Sequence, residues 1–353
     1  MEQKMKYLII DGNNLAIRSA FANGELKNRD GIPTGVHYGV FQSLRNLGEK
    51  FPDYQFLIVW DGKSERRIAE ANNGVKKGLI KSGYKENRLC KPEEQRQELR
   101  DFYNQAPYLK RGIHQAGIPQ IKLNKFEADD IISAYCKLLR NNNEIVLVTS
   151  DKDYFQLLHS NVKIWDGMKN KMTTEDEWKK ENNISPSQFI DVGALMGDTT
   201  DNIFGLPSWG EKTSLKAIQK SSTYQTVFKE LHNQYDNLRV NNPDITDENE
   251  FKRLAEMKTP KNKLKYPEVS INMPFTGVAL AIEDKKIKSI PKTDLMALIF
   301  EERVPLAYSL KKMDDNIDGL PEIKGFVPNR DRLMEYFDYY DMESLKDEID
   351  LLM

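Results

Sequence analysis

Nine acidic residues fall in patterns that suit metal chemistry: Asp11, Asp61, Glu127, Asp129, Asp130, Asp151, Asp153, Asp198 and Asp201. Glu127 and Asp130, in EADD, lie three apart, so one helical face can present both; Asp198 and Asp201, in GDTTDN, repeat that spacing. Asp151 and Asp153 flank a lysine in SDKD. Carboxylates packed into one pocket raise one another's pKa, and a hard divalent cation relieves that repulsion. Oxygen ligands without His or Cys suit Mg2+ or Mn2+. A site this rich could hold two ions roughly 4 Å apart, the arrangement used for phosphodiester hydrolysis. One ion would acidify the attacking water, and the other would stabilise the leaving oxygen and the phosphate charge. Taken singly, each acid is a common helix cap or turn residue, and that reading suffices for Asp30, Asp53 and Asp166. Three such motifs in one chain point to chemistry.

Converging acids need a scaffold that brings them to one edge. Three apolar, β-rich runs each stop at one of them: KYLII before Asp11, FLIVW before Asp61 and EIVLVTS before Asp151. Continuous apolar runs of this length, separated by helical stretches, predict buried parallel strands in an α/β sheet. Ligands gather beyond the carboxyl ends of such strands. KFEADDIISAYCKLLRNN reads as an amphipathic helix whose core face is Ile131, Ile132, Tyr135, Leu138 and Leu139. PEEQRQELRDFYNQA is a second helix, with Pro92 suited to its first turn. EKTSLKAIQKS and DRLMEYFDYYDMESLKDEIDLL are two more, the last packing on the body, and GVALAIED is a short strand candidate in an otherwise polar stretch.

The bulk properties set bounds. A chain of 353 residues with 39% hydrophobic and 30% charged content can bury a substantial core. No apolar run approaches the roughly 18 residues of a membrane span, and the opening MEQKMKYLIIDGNN reads as a first strand rather than a signal peptide. Two separated cysteines, Cys90 and Cys136, predict a reducing, cytoplasmic setting. The net charge of −2 does not by itself announce a nucleic-acid binder, but segregated charge can hide one.

Basic residues are indeed segregated. Lys77, Lys81, Lys85 and Arg88 are spaced by four, four and three, so a helix would carry them as one stripe beside Tyr84. Such cations neutralise phosphates regardless of sequence, and an aromatic can stack on an unpaired base. Lys63, Arg66 and Arg67, just past Asp61, are expected to reach the same phosphate. Gly74, Gly78 and Gly83 make this segment unlike a firm helix when no ligand is bound, and binding a ligand would order it. Lys212, Lys216 and Lys220 form a second stripe after the turn NIFGLPSWG. GLPSWGEKT is not a phosphate loop, because Glu211 separates the glycine from the lysine. Nor is Asp11 the nucleophile of an Asp-x-Asp phosphatase, since Gly12 and Asn13 follow it.

With these residues in view, the chain resembles the 5′ nuclease superfamily of flap endonucleases and 5′–3′ exonucleases. The blocks YLIIDGNNLAIRSAF, GIPTGVHYGVFQSL, FLIVWDGK, GIPQIKLNKFEADDIISA, VLVTSDKDYFQLL and LMGDTTDNIFGLPSWGEKT are similar to that family's, in the same order. The resemblance implies a PIN-like (resolvase-like) α/β core with a parallel sheet, a helical arch and a helix–three-turn–helix that grips duplex DNA. It assigns all nine acids to metal binding, gives Asp130 a catalytic role, and places Lys85 and Arg88 of GYKENR by the scissile phosphate. It further implies DNA contacts for Arg66, Arg67, Lys77, Lys81, Tyr84, Lys212, Lys216 and Lys220. The family's turn also holds a monovalent cation, K+. Here Ser208 stands where a glycine is usual and Trp209 replaces a small aliphatic, departures that bear on the K+ site and not on duplex binding.

The expected division is a nuclease core over 1–195 with its arch at about 63–91, a duplex-binding region over 196–235, an insertion over 236–300, and a closing helical segment over 301–353. The expected activity is metal-dependent hydrolysis of DNA at or near a 5′ end, with no covalent intermediate, as exonuclease, flap endonuclease or remover of RNA primers. The expected partners are 5′ flaps, nicked or 5′-ended duplexes and RNA–DNA hybrids. The chain is expected to be a monomer that acts alone or with separate replication proteins. The rival reading is a structure-specific DNA-binding protein with weak or lost catalysis.

Overall fold

Each of the three apolar runs forms a strand, and the strands lie side by side. The computed structural model describes residues 4–80, 82–90, 93–206, 209–227, 229–230 and 302–352. It divides into two units, each assembled from separated stretches: Met1–Glu65, Leu89–Lys180 and Met313–Met353 form the first, and Arg66–Arg88 with Glu181–Lys312 the second.

The first unit is built on a six-stranded sheet in the order β3-β2-β1-β4-β5-β6. Its strands are β1 (Lys6–Asp11), β2 (Gln55–Trp60), β3 (Gln120–Lys122), β4 (Glu144–Val148), β5 (Val162–Asp166) and β6 (Lys171–Thr173). All pair in parallel except β6, which runs antiparallel to β5. Parallel pairing demands crossover helices, and α1 (Gly12–Asn23), α2 (Gly35–Lys50), α4 (Glu93–Gln115) and α5 (Ala128–Leu139) fall between strands. Alternation along the strands sorts side chains between two layers. Leu8, Ile10, Ile58, Trp60, Val146 and Val148 join Phe41, Leu44, Leu109 and Ile113 in one core. Ile9, Leu57, Val59, Ile145 and Leu147, equally buried, point to the other face, the side on which α5 packs against β1, β2 and β4.

Register decides where the acids end up. Ile10 lies beside both Ile58 and Val148, so Asp61 and Asp151 each follow three residues past that level and Asp11 one residue past it, all at the carboxyl ends of their strands. Gly12 makes this possible: a Cβ there would lie 2.7 Å from Ile58 and 2.8 Å from the Trp60 ring. The chain therefore turns into α1 directly against the neighbouring strand.

The closing segment packs on the first core. Leu333 and Phe337 of helix α10 (Arg330–Tyr339), then Tyr340, Met342, Leu345, Ile349 and Leu352, are all buried in it. The core face expected for α5 needs one correction. Ile131, Ile132 and Tyr135 are buried, but Leu138 is 64% exposed, because burial stops at Cys136 and the last turn faces solvent.

After α6 (Glu175–Asn182), the second unit centres on α7 (Phe189–Met196), buried on almost every side and packed between α8 (Glu211–Ser221) and α9 (Val304–Lys311). Residues 181–195, grouped by sequence with the nuclease core, thus pack here with the C-terminal helices. A two-residue hairpin, β7 (Gly197–Asp198) with β8 (Ile203–Phe204), follows α7. Helix α3 (Glu65–Lys76) leads the segment at 66–88. The insertion at 236–300, with the strand candidate GVALAIED, lies outside the described residues, as do Lys81 and Ser208. No helix among the described residues is long and apolar enough to cross a membrane.

Candidate active site

In the first unit, the acids sit where helices begin, and backbone N–H groups hold them. Asp11 caps α1, its Oδ1 accepting from Asn14 N at 2.9 Å. Asp61 Oδ1 accepts from Ala128 N, at the start of α5, at 2.9 Å. Glu127 is the N-cap of α5 and forms a reciprocal capping box with Asp130, whose Oδ2 accepts from Glu127 N at 3.3 Å. Asp130 Oδ1 accepts from Asp314 N at 2.7 Å, and Asp129 Oδ1 from Asp130 N at 2.8 Å. Asp151 Oδ1 caps the 3-10 turn Lys152–Leu157 through Asp153 N at 2.9 Å. Helix N-termini carry partial positive charge, which offsets some of the repulsion among the carboxylates. The cap reading and the ligand reading are therefore compatible for these residues.

Repulsion is nevertheless strong at the centre. Burial, then the Asp61 carboxylate and further off Asp151, push Asp11 up to about 8, against the opposing pull of Asn14 N–H and the Tyr154 hydroxyl. That hydroxyl donates to Asp11 Oδ2 at 3.0 Å. Burial first and the surrounding carboxylates next hold the Tyr154 phenol well above its ordinary value. Lys110 of α4 lies over the Trp60 ring at 4.3 Å. Burial and Lys122 bring its ammonium down to about 8 despite Asp61. Among the described residues, no three His, Cys, Asp or Glu side chains are gathered into a ready-made metal cage. Mg2+ does not require one, since it keeps several waters and takes one or two carboxylates. An oxygen-only donor set with mutually repelling carboxylates fits a hard divalent ion.

Asp198 and Asp201 belong to the second unit, on the β7–β8 hairpin, and both hold cations of this chain. Asp198 Oδ2 pairs with Lys311 Nζ at 2.8 Å, a lysine side chain only 4% exposed. Burial raises Asp198, but Lys311 and the N–H groups of Thr200 and Asp201 bring it below the ordinary carboxylate range. Asp201 takes Arg88 Nη2 at 2.7 Å, Lys85 Nζ at 3.6 Å and the Tyr84 hydroxyl at 3.2 Å. Lys85 N also donates to Asp201 O at 3.1 Å, and Asn202 Nδ2 donates to Gly83 O at 2.7 Å. The segment Ser82–Arg88 is thus docked on the hairpin turn through backbone and side chains alike.

The family model for the 5′-3′ exonuclease N-terminal resolvase-like domain matches residues 6–183, and that for the C-terminal SAM fold of 5′-3′ exonuclease matches residues 184–269. The chain belongs to the 5′–3′ exonuclease family. It is 33% identical over 243 residues to DNA polymerase I of Lactococcus lactis subsp. cremoris, covering 65% of this chain and 26% of that one. It is 28% identical over 231 residues to a 5′-3′ exonuclease of Buchnera aphidicola subsp. Schizaphis graminum, covering 65% of this chain and 75% of that one. The chain therefore spans about a quarter of the polymerase and three quarters of the exonuclease. Two of the solved structures that share its fold serve as examples. T5 D15 protein co-crystallised with metal ions has a TM-score of 0.54 at 16% identity, covering 99% of this chain and 100% of that one. The catalytic core of Rad2 in complex with DNA substrate has a TM-score of 0.55 at 16% identity, covering 99% and 93%.

Several residues of this 5′–3′ exonuclease family member stand elsewhere than the sequence suggested. The stripe Lys77, Lys81, Lys85 and Arg88 is not one helical face. Helix α3 ends at Lys76, Gly78 turns the chain at φ 70°, and Lys85 itself adopts φ 58°. Lys77 lies 3.8 Å from Glu302. Arg66 and Arg67 do not face outward. Arg66 donates to Ser309 O at 2.8 Å and Lys312 O at 2.6 Å, and Arg67, 1% exposed, reaches Lys312 O at 3.4 Å. Both satisfy carbonyls that the end of α9 leaves without helical partners. Lys212, Lys216 and Lys220 do form one exposed face of α8, opposite the buried Ser214 and Ile218, with Lys220 near Glu230 at 2.8 Å. Tyr154, Lys110 and Lys311 escaped the sequence reading. Tyr154 lies in the run YFQLL with no polar pattern to single it out, and nothing links Lys311 to an aspartate 113 residues earlier.

Proposed function

We propose that this chain is a divalent-metal-dependent 5′ nuclease that hydrolyses phosphodiester bonds at or near the 5′ end of DNA, as a 5′–3′ exonuclease and flap endonuclease. The observation that carries this is the placing of Asp11, buried and facing Asp61 and Asp151, at the carboxyl ends of β1, β2 and β4; burial first and those carboxylates next raise its proton affinity to about 8. Such crowding is unfavourable for folding and useful for holding a cation. Asp11, Asp61, Glu127, Asp129, Asp151 and Asp153 are the side chains of the first unit that would hold Mg2+ or Mn2+. When bound, such an ion supplies a more acidic water and stabilises charge on the phosphate. Asp130, fully buried, orients Glu127 through the capping box. The metal role of Asp198 and Asp201 rests on the family resemblance.

The chain's cations supply the rest. A substrate phosphate competes with Asp201 for Lys85 and Arg88, and the exposed Lys212 and Lys216 of α8 neutralise duplex phosphates. The test is cleavage of a 5′-labelled flap duplex, DNA or RNA-tipped, with Mg2+ and with EDTA. Short labelled products only with metal support the reading, and their length separates exonuclease from flap cutting. Binding without cleavage in Mg2+ or Mn2+ overturns it in favour of a DNA-binding protein, the reading that the capped carboxylates would then favour.

A further inference from the structure

The contact between Tyr154 and Asp11 joins two elements 143 residues apart. Tyr154 lies on the 3-10 turn that Asp151 caps, and its ring is 1% exposed. Burying a phenol is favourable only when its hydroxyl finds a partner, and the partner here is Asp11 Oδ2 at 3.0 Å. Asp11 Oδ1 is held from the other side by Asn14 N at 2.9 Å. A carboxylate facing Asp61 and Asp151 would otherwise rotate away from them. With one donor on each oxygen, its plane is fixed. An ionised carboxylate has about four acceptor positions, so two donors leave capacity for a cation.

We propose that Tyr154 is a positioning residue for Asp11, its hydroxyl fixing the carboxylate in the orientation that takes up a divalent ion. This rests on the reading of Asp11 as a metal-holding acid. Tyr154 touches no substrate and acts through Asp11. Partners that orient ligating groups typically contribute about 10- to 100-fold to metal affinity. A Tyr154 that only fills space would be replaced by phenylalanine without consequence, because the rings have the same shape.

The experiment is a titration of the full chain with Mn2+ in the absence of DNA, following the loss of the free-ion signal by electron paramagnetic resonance. Parent, Tyr154→Phe, Asp11→Asn and the double variant are compared, each checked for folding by its melting temperature in EDTA. The expected result is that Tyr154→Phe binds Mn2+ about 10-fold or more weakly, and that it adds nothing in the Asp11→Asn background, where the group it orients is gone. Flap cleavage by Tyr154→Phe should show a lowered kcat with KM for DNA unchanged. Parent-like Mn2+ affinity in Tyr154→Phe overturns the assignment. So does an equal loss with and without Asp11, which would mark a general packing defect. If the parent binds no Mn2+, the reading of Asp11 fails first, and the role of Tyr154 with it.

Discussion

Asp130 is placed to hold structure as much as chemistry, and its removal should be felt before any substrate is added. The residue is 0% exposed and accepts two backbone N–H groups from opposite directions: Glu127 N at 3.3 Å and Asp314 N at 2.7 Å. Asp130→Ala deletes both acceptors. Loss of the capping box, whose Glu127 bond is long, costs about 1 kcal/mol. Leaving Asp314 N without its charged acceptor costs about 2 kcal/mol. The sum is about 3 kcal/mol, which at roughly 2–4 °C per kcal/mol for a unit of this size lowers the melting temperature by about 6–12 °C. Asp130→Asn keeps one acceptor and turns an NH2 toward the other donor, so it should fall between parent and Ala. Asp129→Ala, at a partly exposed position, should shift melting far less. The assay is thermal denaturation in EDTA, with flap-DNA binding measured on the same samples. An Asp130→Ala variant melting within about 2 °C of the parent refutes the argument, since buried acceptors of this kind cannot be removed so cheaply.

Three other outcomes follow from single contacts. Asp11 has an ordinary value of 3.8 and a folded value of about 8. Its contribution to stability is full below pH 3.8 and is lost as pH rises toward 8, so Asp11→Asn should gain on the metal-free parent between pH 5 and 9 in urea denaturation. A stability difference that does not change with pH refutes the shift. Lys311→Met leaves Asp198, 24% exposed, without its ammonium, and should destabilise by about 2–3 kcal/mol; denaturant midpoints equal to the parent's would count against it. Gly197 has φ 72°, and a Cβ there would lie 2.3 Å from Gly205 N. Gly197→Ala should therefore displace the hairpin that carries Asp198 and Asp201, visible as protease cutting within 197–205 that the parent resists.

What could be read in advance was whatever depends on local pattern. KYLII, FLIVW and EIVLV are apolar on both faces because both faces of a parallel sheet are covered, and an aspartate after each run lies at the sheet edge for that reason alone. EADD was legible as helical from the period of the residues after it, although Glu127 caps the helix rather than lying within it. What escaped depended on partners distant in sequence. Arg66 and Arg67 look like phosphate ligands until the carbonyls of Ser309 and Lys312 arrive some 240 residues later. The spacing of Lys77, Lys85 and Arg88 fits a helix, but a positive φ at Gly78 and at Lys85 breaks the face they would share. Leu138 has the right period for the core and the wrong place along the helix axis. Tyr154 could not be distinguished from a core aromatic, because a phenol's role is decided by what its oxygen meets.

The docking of Lys85 and Arg88 on Asp201 also bears on how DNA association responds to ionic strength. For duplex DNA, the logarithm of affinity falls with the logarithm of salt at about 0.9 per phosphate neutralised, because condensed counterions return to bulk. A cation already matched by an internal carboxylate exchanges one partner for another, and leaves behind a carboxylate that gathers counterions of its own. Lys85 and Arg88 should therefore add less to the salt slope than the exposed Lys212 and Lys216 of α8. Capture of the duplex would be steeply salt-sensitive, while engagement of the phosphate by the arch would depend on fit more than on charge.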